Sequence, residues 1–274
     1  MSGLAPTRGR ARQALQFHAG LVFVFFYAPI LLLVIFSFSD SQIAGEWGGF
    51  TLDWYREFTN DRATQDALQA SLKVAAVATI ASILLGTMSA LALERFRFRG
   101  RRVFDTLLYL PLIIPDVTMA IMLLLFFSEA TELLGVSRGF ATITLAHIAF
   151  SISTVSVVVR ARLAGSSDEL EEAARDLYAS RWQAFRYVTL PIMMPGIIGG
   201  GLLAFTISLD DVVVTQLVTG PGWTTLPVHV FGLIRRGVTP LINAVSVVML
   251  VGSMLLVALS LLASRLAGQD NKFM

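Results

Sequence analysis

The stretch EEAARDLYASRWQAFRYVTLP, residues 171–191, is charged and aromatic, although 55% of the residues in the chain are hydrophobic. Its apolar residues, with the leucine just before it, recur at the i, i+3, i+4 and i+7 positions of a helix. They are Leu170, Ala173, Ala174 and Leu177. This periodicity predicts a short helix with one apolar stripe. Ser166 and Glu169 have the spacing of a capping box at its start, and Pro191 is predicted to end a second short helix near the membrane.

Acidic residues dominate the start of the first helix. They are Asp168, Glu169, Glu171 and Glu172. A helix that lies on the inner membrane surface usually has a basic polar face, because headgroups there are anionic. The acidic start therefore favours a protein partner, which the two short helices would meet as a protruding knob with Trp182 and Phe185 exposed.

The composition is typical of a polytopic membrane protein. The mean hydropathy is +0.71, and only 15% of the residues are charged. A bilayer core of about 30 Å needs roughly 20 helical residues to cross it. Six windows meet this requirement, at residues 17–37, 69–93, 103–127, 141–160, 195–217 and 243–264. We therefore expect an all-α integral membrane protein with six transmembrane helices.

The basic residues cluster on one side of these spans. With the N-terminus inside, fifteen of the 21 lysines and arginines fall in cytoplasmic segments, which predicts that both termini are cytoplasmic. The basic pI of about 9.2 then needs no nucleic-acid-binding face. Three parts are expected. Residues 1–68 hold an N-terminal tail, the first span and an outer segment. Residues 69–264 form a core of five spans that includes the cytoplasmic loop 161–194, and residues 265–274 form a cytoplasmic tail.

Two segments between the spans are aromatic or apolar without being spans themselves. Residues 38–68 are acidic and aromatic, and we expect Trp47, Trp54 and Tyr55 to anchor them at headgroup depth. Residues 218–242 are interrupted by Gly and Pro, and we expect them to fold back into the protein at membrane depth.

The sequence lacks the residues for several kinds of catalysis. It has no cysteine and no GxxxxGK[ST] loop for nucleotide phosphates. His18, His147 and His229 lie in separate segments without metal-ligand spacing, which argues against a metal centre. His147 lies in a span and is expected to hydrogen-bond between helices. We expect neither catalysis nor a cofactor in this chain, so energy must come from a partner.

Glu172, Ala173 and Ala174, followed by VTLP at 188–191, resemble the EAA loop of bacterial ABC importer permeases, E-A-A-x3-G-x9-I-x-L-P, with the same spacing. Tyr178 stands where that pattern has a glycine, which permits a turn with positive φ. The resemblance implies that the loop docks on a cytoplasmic ATPase through the residues of the motif. With Glu171 just before the motif, these are Glu171, Glu172, Ala173, Ala174, Tyr178, Leu190 and Pro191.

Three further stretches extend the resemblance over essentially the whole chain. They are LPLIIPDV at 110–117, AFTISLDDVVVTQLVTGPGWTTLP at 204–227 and GVTPLINA at 237–244. They are similar to permeases of polyamine (putrescine or spermidine) importers. The resemblance implies a type I importer fold in the bacterial inner membrane. It also implies an assembly of two homologous permeases, two copies of an ATPase that binds ATP and magnesium, and a periplasmic polyamine-binding protein.

Asp116, Asp210 and Asp211 interrupt otherwise apolar spans. A charge in the middle of the membrane costs about 3 kcal/mol or more. Counted along straight helices from their inner ends, all three carboxylates lie about 20 Å up, and Pro111 and Pro115 are expected to bend the third span just below them. We expect these carboxylates to line a substrate path, where they would replace the lost hydration of a polycation. The alternative is that they only fix helix packing.

Two other functions remain open at this point. The same machinery could carry an amino acid or iron, and a self-sufficient cation transporter could use the aspartates as its cation sites. No inverted repeat is visible, and the acidic knob has no role in a self-sufficient transporter, so both features disfavour that function.

Overall fold

The computed structural model describes residues 7–43, 45–135, 137–164, 169–237 and 239–269, and these residues form helices without a β-strand. In chain order the helices are α1 (Thr7–Phe36), α2 (Asp53–Asn60), α3 (Arg62–Arg95), α4 (Arg101–Ile113), α5 (Asp116–Leu134), α6 (Phe140–Leu163), α7 (Glu169–Asp176), α8 (Arg181–Ala184), α9 (Leu190–Asp210), α10 (Val213–Val218), α11 (Leu226–Arg236) and α12 (Pro240–Gln269). A π-helical turn, Phe185–Thr189, joins α8 to α9. The predicted capping box at Ser166 lies outside the described residues.

Among the described residues, five helical segments are long and apolar enough to cross a membrane: those of α1, α3, α6, α8 with α9, and α12. The predicted third span is broken, because α4 and α5 meet at 112° around Ile114 and Pro115, and the pair supplies a sixth span if it is counted as one. The break falls at Pro115, whereas Pro111 lies inside α4. The all-α membrane fold is confirmed. The cytoplasmic position of the termini and the domain limits at residues 68 and 264 stay predictions.

The described helices belong to two compact units. The first joins the residues up to Asp61 with Leu233–Val251, and the second joins Arg62–Gly232 with the residues from Gly252 onward. Both candidate sites lie in the second unit.

The aromatic residues that follow α1 are bonded within the first unit. Trp54 on α2 is buried, and its indole Nε1–H donates to the carbonyl of Ser39 at 2.7 Å. The hydroxyl of Tyr55 lies 2.7 Å from Ser37 Oγ. Trp54 and Tyr55 therefore hold the backbone after α1, whereas Trp47 is exposed. That these aromatic residues lie at headgroup depth stays a prediction.

In the second unit, α3 turns small residues toward its neighbours and large apolar residues away from them. Ala75, Ala78 and Ala90 are fully buried, whereas Ile80 and Met88 are more than half exposed. Lipid is as apolar as a leucine side chain, so membrane helices gain most from close packing through small residues. The three helices that pack on one another in this way are α3, α6 and α9.

α9 packs against α6 through glycines spaced one turn apart. A Cβ atom on Gly200 would lie 3.1 Å from the Cα atom of Val155, and one on Gly196 would lie 3.3 Å from the Cα atom of Val159. Both contacts are with backbone atoms, so a larger residue would force the two helices apart. The motif GxxxG at 196–200 is the sequence signal for this packing.

The stretch between α10 and α11 closes over the start of α6. Thr142 Oγ1–H donates to the carbonyl of Val218 at 2.9 Å, and the rings of Phe140 and Trp223 lie 5.1 Å apart. A Cβ atom on Gly220 would overlap the carbonyl oxygen of Arg138, so this close approach requires glycine.

The Gly- and Pro-interrupted segment then returns to α3. Leu226 N–H donates to Ser71 Oγ at 2.8 Å, and His229 Nε2 lies 3.2 Å from Thr64 Oγ1. The segment therefore packs on the protein, as the sequence indicated, while its depth in the bilayer stays a prediction.

The glycine contact predicts a position-specific loss of stability. Gly200→Val should lower the free energy of unfolding by about 1–3 kcal/mol, because the new side chain overpacks the contact with Val155. Gly199→Val is the matched control, since a Cβ atom there would meet only Val158 Cγ1 at 4.0 Å. Thermal unfolding of the two purified variants in the same detergent measures the difference. Equal midpoints would contradict the close packing of α9 on α6.

Candidate functional site

The coupling segment, defined here as residues 169–189, begins with an exposed helix. None of the residues of α7 is buried. Glu169, Glu171 and Glu172 lie in its first turn and Arg175 in its last, and this order complements the helix dipole. Leu170, on the apolar stripe of α7, is 52% exposed. The apolar stripe of α7 is therefore left open beside its charged residues.

Tyr178 occupies the position at which the EAA pattern has glycine, and its backbone is left-handed, with φ of 65°. Ala179 N–H donates to the carbonyl of Ala174 at 3.1 Å and Tyr178 N–H to that of Arg175 at 3.0 Å, which is the bonding of a Schellman motif. The turn is therefore kept without the glycine, at a cost of about 1–2 kcal/mol for a residue with a Cβ atom. The ring of Tyr178 is 97% exposed.

The second helix of the segment is continuous with the span. Ser180 and Gln183 form a capping box at its start. The helix then passes through the π-helical turn, in which Leu190 N–H donates to the carbonyl of Phe185. It continues through Pro191 to Asp210, over 30 residues. The prediction that Pro191 ends the helix is wrong. The wider turn before it accommodates a residue that has no N–H to donate.

Glu171 ties α7 to two other elements. Its Oε2 atom accepts a hydrogen bond from Thr189 Oγ1 at 3.1 Å and lies 3.4 Å from Arg95 Nη2 at the end of α3. Nearby, Arg160 of α6 pairs with Glu94 at 2.8 Å and with Asp105 at 2.5 Å. α7 is therefore joined to α3 and to the helix that becomes α9.

The residues expected to contact the ATPase thus differ in their exposure. Glu172, Ala173 and Tyr178 are exposed, and Ala174 is half-exposed. Glu171 is engaged internally. Leu190 and Pro191 are partly buried in the long helix. Sequence reasoning missed the roles of Thr189 and Arg160, although an arginine inside an apolar span is a signal for a carboxylate partner.

A second candidate site lies at the far end of this helix. α9 ends at Asp210, Asp211 is extended with ψ of 128°, and the short helix α10 begins at Val213. Asp211 Oδ2 accepts from Thr215 N–H at 2.7 Å and from Thr215 Oγ1 at 2.8 Å. Its carboxylate thus satisfies backbone and hydroxyl groups that the break leaves without a helical partner.

His147 on α6 holds the two sides of the break together. Its ring is fully buried, with Nδ1 at 2.6 Å from Ser208 Oγ and Nε2 at 2.9 Å from Thr215 Oγ1. A neutral ring with the proton on Nε2 fits, because Ser208 can donate to Nδ1 while Thr215 accepts from Nε2 and donates to Asp211. The expectation that His147 bonds between helices is confirmed.

The three aspartates therefore have different surroundings. Asp211 is 13% exposed and bonded, whereas Asp210 is exposed at the C-terminal end of α9, where the helix dipole disfavours a carboxylate. Asp116 is exposed at the first turn of α5, where the dipole favours one. The common depth inferred for the three rested on straight helices. That inference fails for Asp116, because the 112° bend precedes it.

Several membrane helices packed through small residues, a broken span and an exposed coupling segment are features of a membrane-embedded transport subunit. The chain belongs to the family of binding-protein-dependent transport system inner membrane components, which it matches over residues 82–269. It is a multi-pass permease and not an enzyme.

Two similar proteins of known name cover most of the chain. The chain is 46% identical over 233 residues to the putrescine transport system permease protein PotI of Escherichia coli (strain K12), covering 84% of this chain and 83% of that one. It is 39% identical over 246 residues to the spermidine/putrescine transport system permease protein PotC of Haemophilus influenzae, covering 89% and 94%.

The fold is also similar to that of a solved transporter. A chain in the crystal structure of a bacterial ABC transporter involved in the import of the acidic polysaccharide alginate superposes with a TM-score of 0.75 at 18% identity, over 94% of this chain and 96% of that one. The fold is therefore that of an ABC importer permease.

The bonding of Asp211 predicts that it is needed for stability and that Asp210 is not. Asp211→Ala should lower the free energy of unfolding by about 1–3 kcal/mol, because Thr215 would be left with an unsatisfied N–H and hydroxyl. Asp210→Ala removes an equal charge one residue away and should leave stability unchanged. Thermal unfolding of both variants tests this, and equal losses would mean that the carboxylate of Asp211 does not stabilise the break.

Proposed function

We propose that the chain passes polyamines, putrescine or spermidine, across the bacterial inner membrane as one permease of an ATP-driven importer. The observation that carries this cargo is the 46% identity to a putrescine permease over more than four fifths of both chains. The proposed assembly comprises a homologous second permease, two copies of a cytoplasmic ATPase that bind ATP and magnesium, and a periplasmic polyamine-binding protein. Both termini are cytoplasmic in this arrangement.

The coupling segment is the proposed contact with the ATPase. Its exposed helix presents Glu172 and Ala173 beside an open apolar stripe, and small side chains allow a partner to approach closely. The continuous helix gives this contact a mechanical consequence. Over 30 residues it spans about 45 Å, so a tilt of the docked end displaces Asp210 at the other end.

Asp210 is the proposed contact with the moving polycation. Its carboxylate is exposed at an unfavourable helix end, and no packing role within the described residues accounts for it. Asp211 shapes the break beside it. Asp116 is proposed as a secondary contact.

The proposed contact with the ATPase is tested by placing a large side chain in it. Ala173→Arg should abolish uptake of radiolabelled putrescine and reduce co-purification of the ATPase, because the long charged side chain would separate the two surfaces. Ala173→Ser adds one oxygen atom and should transport normally. The protein level in the membrane must match the unsubstituted chain. Normal uptake by Ala173→Arg would exclude docking through this face, without bearing on the cargo.

The substrate contact is tested by removing one charge with little change of shape. Asp210→Asn should lower putrescine uptake about tenfold or more, since a charged contact contributes about 1.5–3 kcal/mol. Asp116→Asn should lower it less. Asp53→Asn is the control, as an exposed carboxylate on α2 outside the spans. Unchanged uptake by Asp210→Asn would remove it from the path. Uptake of an amino acid or iron in place of putrescine by the unsubstituted transporter would overturn the cargo itself.

A further inference from the structure

A cavity of about 730 Å³ lies between the end of α3, the loop that follows it and the coupling segment. Its walls carry an unusual number of guanidinium groups. The arginines among its lining residues are Arg95, Arg97, Arg101, Arg175 and Arg181. Such a concentration of one charge attracts anions into the cavity.

The carboxylates in the same walls are too few to neutralise all five arginines. Glu94 is already bonded to Arg160, and Glu171 is engaged by Arg95 and Thr189. Glu172 is the third carboxylate that lines the cavity. Within the described residues, the other four arginines of the cavity form no ion pair. The cavity therefore has an excess of positive charge that a ligand could neutralise.

The loop between α3 and α4 alternates arginine with phenylalanine. Its sequence, with the first residues of α4, is RFRFRGRR at 95–102. Phe96 lines the cavity and is 64% exposed, and Phe98 is 42% exposed. The loop directly follows a helix that is long and apolar enough to span a membrane. Phenylalanine beside arginine is typical of a segment at a bilayer surface, where phenylalanine inserts among acyl chains and arginine reaches headgroups.

We propose that this cavity binds the phosphate group of an anionic phospholipid, with phosphatidylglycerol as the representative ligand. Arg97 and Arg101 supply the charge, because planar guanidinium groups pair with phosphate oxygens through two hydrogen bonds each. Phe96 and Phe98 contact the acyl chains. The aromatic rings favour a lipid over a soluble phosphate or an acidic segment of the ATPase, neither of which brings an apolar chain. A bound headgroup would bridge the end of α3 to the base of the coupling segment.

The test measures lipid binding to the intact transporter in detergent by native mass spectrometry, with phosphatidylglycerol or phosphatidylcholine added in steps. We expect tighter binding of phosphatidylglycerol, and about tenfold weaker binding of it in the double variant Arg97→Gln/Arg101→Gln. Arg99→Gln/Arg102→Gln is the matched control. It removes the same charge from the same eight residues but alters none of the residues that line the cavity, so it should bind as the unsubstituted transporter does.

Further variants and measurements distinguish lipid binding from misfolding of the variants and from binding of other ligands. Arg97→Lys/Arg101→Lys keeps both charges and should keep most of the preference for phosphatidylglycerol, even if the glutamine variant is poorly folded. Equal loss in the two glutamine pairs would overturn the proposal, since the effect would then be that of net charge. Displacement of the lipid by inorganic phosphate would overturn it in favour of a soluble anion. Loss of the ATPase with lipid binding unchanged would overturn it in favour of a protein interface.

Discussion

The close packing of α9 on α6 is the contact on which both candidate sites depend. Gly196 and Gly200 let the two backbones approach so closely that even a Cβ atom would lie 3.1–3.3 Å from a backbone atom of α6. In a bilayer, where apolar surface gains nothing by leaving lipid, such contact is a main source of association between helices. Because α9 is held along this seam, the two ends of its helix have defined positions. One end joins the coupling segment, and the other ends in Asp210.

The break after Asp210 is stabilised by the carboxylate of Asp211, which accepts from the backbone N–H groups of Val214 and Thr215. The chain of bonds from Ser208 through His147 and Thr215 to Asp211 joins α6, α9 and α10. A helix can end inside a membrane only where side chains replace the lost backbone bonds. The structure thus explains why two adjacent aspartates occur together. One maintains the break, and the other is left available beside it.

Next to the coupling segment, the helices are joined by ion pairs between charged side chains. Arg160 draws Glu94 and Asp105 together, and Arg95 holds Glu171, so the helices α3, α4, α6 and α7 are joined by ion pairs there. These pairs are partly shielded from solvent, which makes them stronger than exposed ones. Arg97, Arg101, Arg175 and Arg181 line a cavity there. An anion in that cavity would lie against the end of α3 and the coupling segment.

The sequence by itself determined the all-α membrane fold, most of the spans and the class of the protein, because hydropathy, arginine spacing and the EAA pattern are local properties. It also predicted that His147 would bond between helices. The course of the helix through Pro191 and the 112° bend before Asp116 were decided by tertiary structure, because both depend on which backbone groups neighbours can satisfy. The left-handed turn at Tyr178 and the separation of Asp210 from Asp211 were decided in the same way. Each is a choice between local conformations of similar energy, and only packing and hydrogen bonding to residues distant in the chain select one of them.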